Sequence, residues 1–376
     1  MKIAININEL TLKQETGVKV YTREIVSALG KIDRENEYIL YANWISKTEF
    51  NSEISELNSV LENLGNFKIQ NSKFNLPFWT YLKLPQEIRR DKPDVLFMPI
   101  QSVPFLNKPK NIKIIITVHD LAFLIFPEHF TAKDKFLLNF HTKRAVQMAD
   151  KIIAPSEATK KDLIKYYKID ENKINVIYHG VRKNYQLPTT NYQLQAPYIL
   201  FVGQIQPRKN LIRLIEAFEF IKEKNKKYPN LKLAIAGGGG WMANKTYEKA
   251  RKSKFSKDII FVGKVSNRHL AELYQNALVF VMPSLYEGFG LPVLEAMSYG
   301  VPCAVSDNSS LAEIVDDHGL LFDAYSSGDI AQKISMFLNN DVLRKDFSER
   351  SLQNAKKFNW IESARKTLKI FSMQYL

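Results

Sequence analysis

Short apolar runs recur along the chain, at 2–6, 38–41, 95–98, 114–118, 152–154 and 174–178 in the first half and at 198–202, 233–236, 259–262, 279–282, 303–306 and 320–322 in the second. Most are apolar throughout rather than alternating, the pattern of parallel strands covered on both faces. Helical patterns lie between them, among them 21–29 (ahead of a loop at 30–36), 160–167, 211–224 and 291–299. Strand–helix–strand order kept up along the chain predicts an α/β protein of doubly wound, Rossmann-like sheets. The pattern restarts after the polar, proline-bearing stretch 187–195, the best linker candidate. Two domains are expected, 1–187 and 188–376, with a last helix at 360–376 that could pack back on the first.

Composition narrows the class without choosing within it. The chain has 376 residues, long for one core and comfortable for two. Hydrophobic residues make up 45% and charged residues 24%, an ordinary globular balance. No run of about 18 apolar residues occurs, and 1–6 reads as a first strand rather than a signal peptide. The single cysteine, Cys303, lies in the apolar run 301–305 and reads as a buried small hydrophobe. With no disulfide possible, a cytoplasmic location is expected. A net charge of +14 favours anionic partners, a phosphate, nucleic acid or an acidic membrane surface, without deciding among them.

In open α/β sheets ligands bind beyond the carboxyl ends of the strands, and the unusual polar residues stand there. After the run 279–282 comes a loop with Glu287, Gly288, Phe289 and Gly290, then a helix from Leu291 with Pro292 in its first turn and Glu295 in its second. Glycines allow close backbone approach, a helix start offers free N–H groups to an anion, and the two carboxylates can meet a sugar and a ribose diol. After 198–202 stand Gly203, Gln204 and the segment Pro207-Arg208-Lys209-Asn210, whose cations can neutralise a diphosphate. Gly237–Gly240 follow the run 233–236, as either a backbone contact for a flat base or a mobile loop. In the first half His119-Asp120 follow 114–118, and the histidine can donate to a hydroxyl or stabilise charge. Gly17, just before a helix, can shape a loop.

Together these residues resemble glycosyltransferase family 4, over nearly the whole chain. The signature is a glutamate pair separated by seven residues, Glu287 and Glu295, supported by Pro-Arg-Lys-Asn at 207–210, His-Asp-Leu at 119–121, Ala-Pro-Ser at 154–156 and Val-Gly at 262–263. The resemblance implies a GT-B fold, two Rossmann-like domains facing each other across a cleft, with the acceptor on the first domain and a nucleotide-sugar on the second. It implies catalytic roles for Glu287, against the donor sugar, and His119, near the reacting centre. Donor-binding residues would be Gly203, Arg208, Lys209, Gly288, Phe289, Gly290, Leu291 and Glu295, with Lys209 on the diphosphate, Glu295 on the ribose, and Gly17 in the acceptor-side loop. Many family members carry Arg where Gln204 stands, so Arg208 is the candidate replacement.

No Asp-x-Asp motif occurs, so metal-independent transfer with no cofactor is expected. The resemblance implies retention, usually attributed to front-face attack with the leaving phosphate as base. Segments 119–130 and 207–210 look similar to bacterial polysaccharide mannosyltransferases, which points to GDP-mannose, with UDP-hexoses as the alternative. The acceptor would be a lipid-linked saccharide at the inner membrane face. Two basic-apolar stretches, 74–90 and 133–144, are candidates for lying on anionic lipid, against the reading that their aromatics fill the first core. Rival classes fit less well. A nicotinamide dehydrogenase needs Gly-x-Gly-x-x-Gly after a strand, a spacing that Gly237–Gly240 lack. A phosphorylase-like enzyme needs a longer chain. No nucleic-acid partner is expected, since the basic residues are spread out and form no recognised module. A nucleotide-binding protein without transferase activity is the remaining alternative.

Overall fold

The computed structural model describes residues 1–11, 15–43, 66–71, 78–104, 111–181, 194 and 196–373. It divides into two compact units, Met1–Gly180 with Asn359–Leu376, and Val181–Phe358. The division thus falls at Gly180 rather than 187, and the linker candidate at 187–195, apart from Leu194, lies outside the described residues.

In the first unit the sheet is parallel, β1 (Lys2–Asn6), β2 (Glu37–Ala42), β3 (Phe67–Asn71), β4 (Val95–Met98), β5 (Lys113–Thr117), β6 (Lys151–Ala154) and β7 (Ile174–Val176), in the order β3-β2-β1-β4-β5-β6-β7. The expected strands appear, and β4 and β5 are buried residue after residue, as non-alternating runs should be. β3 was not expected. It pairs only with β2, at the sheet edge, and alternates Phe67 and Ile69 with Lys68 and Gln70. Such a short alternating run carries little signal.

The first long helix, Gly17–Ile32, starts where the Thr16 side chain accepts from the Lys19 amide at 3.1 Å. It runs past Gly30, which was expected in a loop, and ends at Asp33. There one carboxylate accepts from the Glu35 and Asn36 amides and from the Asn36 and Tyr38 side chains, closing the turn into β2.

The chain returns to this unit at its end. Helix Trp360–Ser372 packs on helix Gly17–Ile32, and a Cβ on Gly180 would lie 2.2 Å from the Trp360 nitrogen. The buried Lys113 ammonium donates to the Ile370 and Met373 carbonyls, both at 2.6 Å, which caps the helix with a cation where its dipole is negative. Ser363 donates to the Tyr178 carbonyl at 2.6 Å.

The second unit repeats the plan with β8 (Tyr198–Val202), β9 (Lys232–Ala236), β10 (Ile259–Gly263), β11 (Val279–Met282), β12 (Cys303–Ser306) and β13 (Leu320–Phe322), all parallel, in the order β10-β9-β8-β11-β12-β13. Counted from β8 this is the order 3-2-1-4-5-6 of dinucleotide-binding sheets. Its core gathers Phe201, Phe218, Phe280, Phe322 and Phe337, each fully buried side chain of this size stabilising by about 1.5–3 kcal/mol. Cys303 belongs to that core, and burial pushes its thiol up, away from reactivity. The sheet order reverses between β8 and β11, so the loops leaving these two strands flank the switch point where such folds hold their ligands.

Candidate active site

Those two loops carry the strongest sequence candidates, and they meet. After β8 the chain turns at Gly203 and makes a short helical turn, Pro207–Lys209, closed by Asn210 in the left-handed conformation (φ 57°). After β11 runs the loop of Glu287. Lys209 Nζ donates to Glu287 Oε1, and Arg208 donates to Glu287 Oε2 at 3.1 Å and to the Tyr286 carbonyl. The Leu285 amide returns a bond to the Arg208 carbonyl at 2.9 Å. Asn210, buried, donates to the Pro283 carbonyl at 3.0 Å and the Ala324 carbonyl at 2.7 Å, tying both loops to a third. In the sequence Asn210 is only the last residue of the Pro-Arg-Lys-Asn motif. Its left-handed backbone is what marks it as a fixed corner.

Lys209 and Glu287 are each 8% exposed. Burial by itself would raise the Glu287 carboxyl, but Lys209, Arg208 and the Ser284 hydroxyl overcome it and bring the value from 4.5 to about 2. The result is an ionised carboxylate held between two cations in a largely dry setting.

Helix Leu291–Ser298 follows, with Gly290 before it at φ 110°. A side chain there would be strained and would lie 2.9 Å from Leu311. One turn in, Glu295 accepts from the Tyr274 hydroxyl at 2.9 Å. Tyr274 is buried and stacks on Tyr299, with ring centroids 5.6 Å apart, so one Glu295 oxygen is oriented by a rigid donor. Tyr274 went unnoticed in the sequence, where it reads as an ordinary core aromatic. One expectation changes here. Phe289 turns its ring into the core at 5% exposure, against Phe358, and its carbonyl accepts from Ser310 at 2.7 Å. Gly237–Gly240 are tied to the loop that follows β8. The Ile205 amide bonds the Gly238 carbonyl at 2.9 Å, and the Gly240 amide bonds the Ile205 carbonyl at 2.8 Å. A Cβ on Gly238 would meet Lys264 at 2.7 Å, and one on Gly240 would meet Gln204 at 2.9 Å. These glycines let three loops pack on one another.

In the first unit His119 stands just past β5. Its Nε2 lies 2.9 Å from the Pro99 carbonyl, which can only accept, so Nε2 carries a proton. Its amide is held by Gln101 at 3.0 Å. Burial lowers the ring below 6.5, so at pH 7 it is neutral and its Nδ1 is an acceptor. That reverses the expected role of hydroxyl donor. Tyr21 meets the ring edge-on at 4.9 Å and fixes its own hydroxyl on Thr117 at 3.0 Å. Gly17 opens the helix that delivers Tyr21, and is itself exposed. His179, buried past the end of β7, lies 5.8 Å from His119 and stacks on Trp360 at 5.5 Å. Sequence reading missed it, although the rule that pointed to His119, a polar residue just beyond a strand, also points to His179.

Residues 16–184 match the family described as Glycosyltransferase Family 4, and residues 187–354 match Glycosyl transferases group 1. The chain belongs to glycosyltransferase family 4. Over 269 residues it is 29% identical to the O-antigen chain mannosyltransferase B of Escherichia coli, covering 69% of this chain and 70% of that one. Over 260 residues it is 30% identical to the O-antigen chain mannosyltransferase RfbU of Salmonella typhimurium, covering 66% and 69%. Against the longer serotype-specific mannosyltransferase WbdA of Escherichia coli the match spans 34% of that protein. The fold is GT-B. Anabaena HepE, solved with UDP-glucose, superposes with a TM-score of 0.72 at 15% identity, over 99% of each chain.

Proposed function

We propose that this glycosyltransferase is a retaining, nucleotide-sugar-dependent enzyme of bacterial surface polysaccharide synthesis, moving mannose from GDP-mannose to a hydroxyl of a lipid-linked saccharide. The observation that carries the reading is the Lys209–Glu287–Arg208 cluster, with Lys209 and Glu287 buried, at the switch point of the second sheet. Two fixed cations there suit a leaving diphosphate, whose developing charge they stabilise without a metal ion. Glu287, beside them, suits contact with the sugar attached to that diphosphate. Glu295, oriented by Tyr274, suits the ribose diol. His119, as a neutral acceptor, suits a sugar hydroxyl rather than an oxyanion. The named O-antigen mannosyltransferases favour mannose, while HepE with UDP-glucose keeps a UDP-hexose as the second reading.

Thermal shift separates the donors. At about 100-fold excess over Kd the right nucleoside diphosphate adds roughly 2.7 kcal/mol. GDP raising Tm where UDP does not supports the mannose reading, the reverse supports the UDP-hexose, and a flat response to both rejects the nucleotide site. Activity should persist in EDTA, and its abolition would reveal a required ion.

The acceptor calls for an inner-leaflet membrane surface, and helix Ala132–Met148 supports one. It turns Thr142, Ala145 and Val146 to the core and leaves Phe136 (69%), Leu137 and Phe140 exposed. A helix that buries its small residues and exposes its large ones runs against folding preference. Phe78 (73%) and Leu82, also exposed, adjoin it through the Tyr81–His141 stack at 4.8 Å. Lys133, Lys135 and Lys143 stand exposed around the patch, whereas Arg144 is turned inward to the Pro104 carbonyl at 3.0 Å. The remainder of the first basic-apolar stretch, 74–77, lies outside the described residues. Among the described residues no helix is long and apolar enough to cross a membrane, so attachment would be peripheral. Vesicles of phosphatidylglycerol should retain the protein at low salt and release it at high salt, each well-placed cation contributing about 1 kcal/mol. Replacing Phe136 and Phe140 by Ser should abolish retention and leave Tm unchanged. Equal binding to phosphatidylcholine, or unaltered binding of the double variant, would refute the surface.

A further inference from the structure

The Glu287 loop is held from behind by three consecutive side chains that follow β12. Asn308 donates to the Ser284 carbonyl at 3.3 Å. Ser309 Oγ accepts from the Glu287 amide at 3.0 Å. Ser310, fully buried, shares its one hydroxyl hydrogen between the carbonyls of Glu287 at 2.9 Å and Phe289 at 2.7 Å. Both backbone groups of Glu287 are therefore fixed by serine hydroxyls from another part of the chain. Ser309 also donates to Asn308 Oδ1 at 3.1 Å, which orients its lone pair toward the Glu287 amide.

Ser309 does this from an unfavourable backbone. Its φ is 47°, in the left-handed region, although it is the first residue of helix Ser309–Val315. A side chain there crowds the following carbonyl, and among ordinary residues only glycine, and next to it asparagine, sits there easily. The backbone alone would thus favour glycine at this position, but glycine carries no hydroxyl for the Glu287 amide. Strain of this kind persists where something other than stability requires the side chain.

We propose that Ser309 is a positioning residue for the transfer reaction, holding the Glu287 backbone so that the carboxylate stays registered between Lys209 and Arg208. The assignment rests on the transferase reading above. The Glu287 carboxylate follows the dihedrals of its own backbone, so losing the amide anchor lets the loop rotate while both cations and the Glu295–Tyr274 pair remain in place. Turnover should suffer more than donor binding.

Three variants separate positioning from support. Ser309→Gly relieves the strain but removes the hydroxyl from the Glu287 amide, two effects that offset, so Tm should stay within about 2 °C of wild type while kcat falls about tenfold, the scale of one hydrogen bond's worth of transition-state stabilisation. Donor KM should stay within about twofold of wild type. Ser309→Ala keeps the strain and loses the hydroxyl, so kcat should fall equally with a lower Tm. Ser309→Asn tolerates the backbone and offers a carbonyl acceptor, and should recover most of kcat. Wild-type kcat in Ser309→Gly would overturn the proposal, as would kcat following Tm across the three. An inactive wild type, assayed with GDP-mannose and UDP-hexoses, would instead overturn the transferase reading and this proposal with it. An active wild type beside an unimpaired Ser309→Gly overturns this proposal alone.

Discussion

Glu287→Gln is expected to abolish most turnover and at the same time tighten nucleotide binding. The first effect, a fall in kcat of at least about 10²-fold, is the scale of removing one charged contact from a preorganised site. The second follows from the geometry in the absence of donor. Lys209 and Arg208 are not waiting for phosphate, because Glu287 is an anion already seated between them. Burial raises the carboxyl and the cations more than overcome it, so the lowering to about 2 is a net preference for the ionised form on the order of 3 kcal/mol against an ordinary carboxyl. A diphosphate entering the cradle competes for the same N–H groups and gives up part of that interaction. An amide of the same shape competes far less, so if half the interaction is at stake the diphosphate Kd should drop roughly tenfold. Calorimetry of GDP and UDP on wild type and variant, beside initial rates, checks both. Unchanged turnover would remove Glu287 from the chemistry. Unchanged Kd would mean that carboxylate and phosphate occupy different sides of the cations.

That competition could not be read from the sequence, although each participant could. The parallel strands announced themselves as unbroken apolar runs, since burial on both faces leaves no room for alternation, and β8 and β11 stand where those runs predicted. Given the strands, the rule that ligands gather at carboxyl ends led to Arg208, Lys209, Glu287 and His119. What it cannot supply is which of these loops touch, because Lys209 and Glu287 are 78 residues apart and meet only through the strand order. The edge strand β3 escaped for the opposite reason, being covered on one side and half polar. The home of helix Trp360–Ser372 was open because any helix with an apolar stripe can dock on any apolar face. Gly180 against Trp360, and Lys113 on the last carbonyls, decide it. Periodicity left helix Ala132–Met148 open between lipid and core, since a helix apolar on two sides does not reveal which side is inward, and small residues took the core. His119 kept its place but changed role, because the Pro99 carbonyl that fixes its tautomer lies 20 residues away and is silent in the sequence.

Lys209→Ala should weaken diphosphate binding and folding together, with a pH dependence that identifies the cause. Truncation leaves a buried carboxylate with one cation in place of two. Removing one partner of a buried ion pair costs about 3–5 kcal/mol, and the surviving Arg208 contact at 3.1 Å places this case at the lower end, about 3 kcal/mol at pH 7. The sign with pH follows from linkage. The Glu287 carboxyl is lower in the folded chain, about 2, than the ordinary 4.5 it regains on unfolding. Its contribution is therefore complete above about pH 4.5 and is lost as the pH falls toward 2. In Lys209→Ala the folded value rises toward 4.5 and the window closes, so wild type and variant should differ most at neutral pH, draw together below about pH 4.5 and converge only near pH 2. Parallel stability curves from pH 7 to pH 3 would mean that Lys209 supports the fold through its aliphatic stem and not through charge. The ligand arm is independent of that outcome. A lysine acting as a point charge on phosphate is worth about 1.5–3 kcal/mol, so the diphosphate should lose about 10- to 10²-fold in affinity. The free nucleoside, which has no phosphate to meet the cation, should bind as before, and an equal loss for both would take the diphosphate away from Lys209.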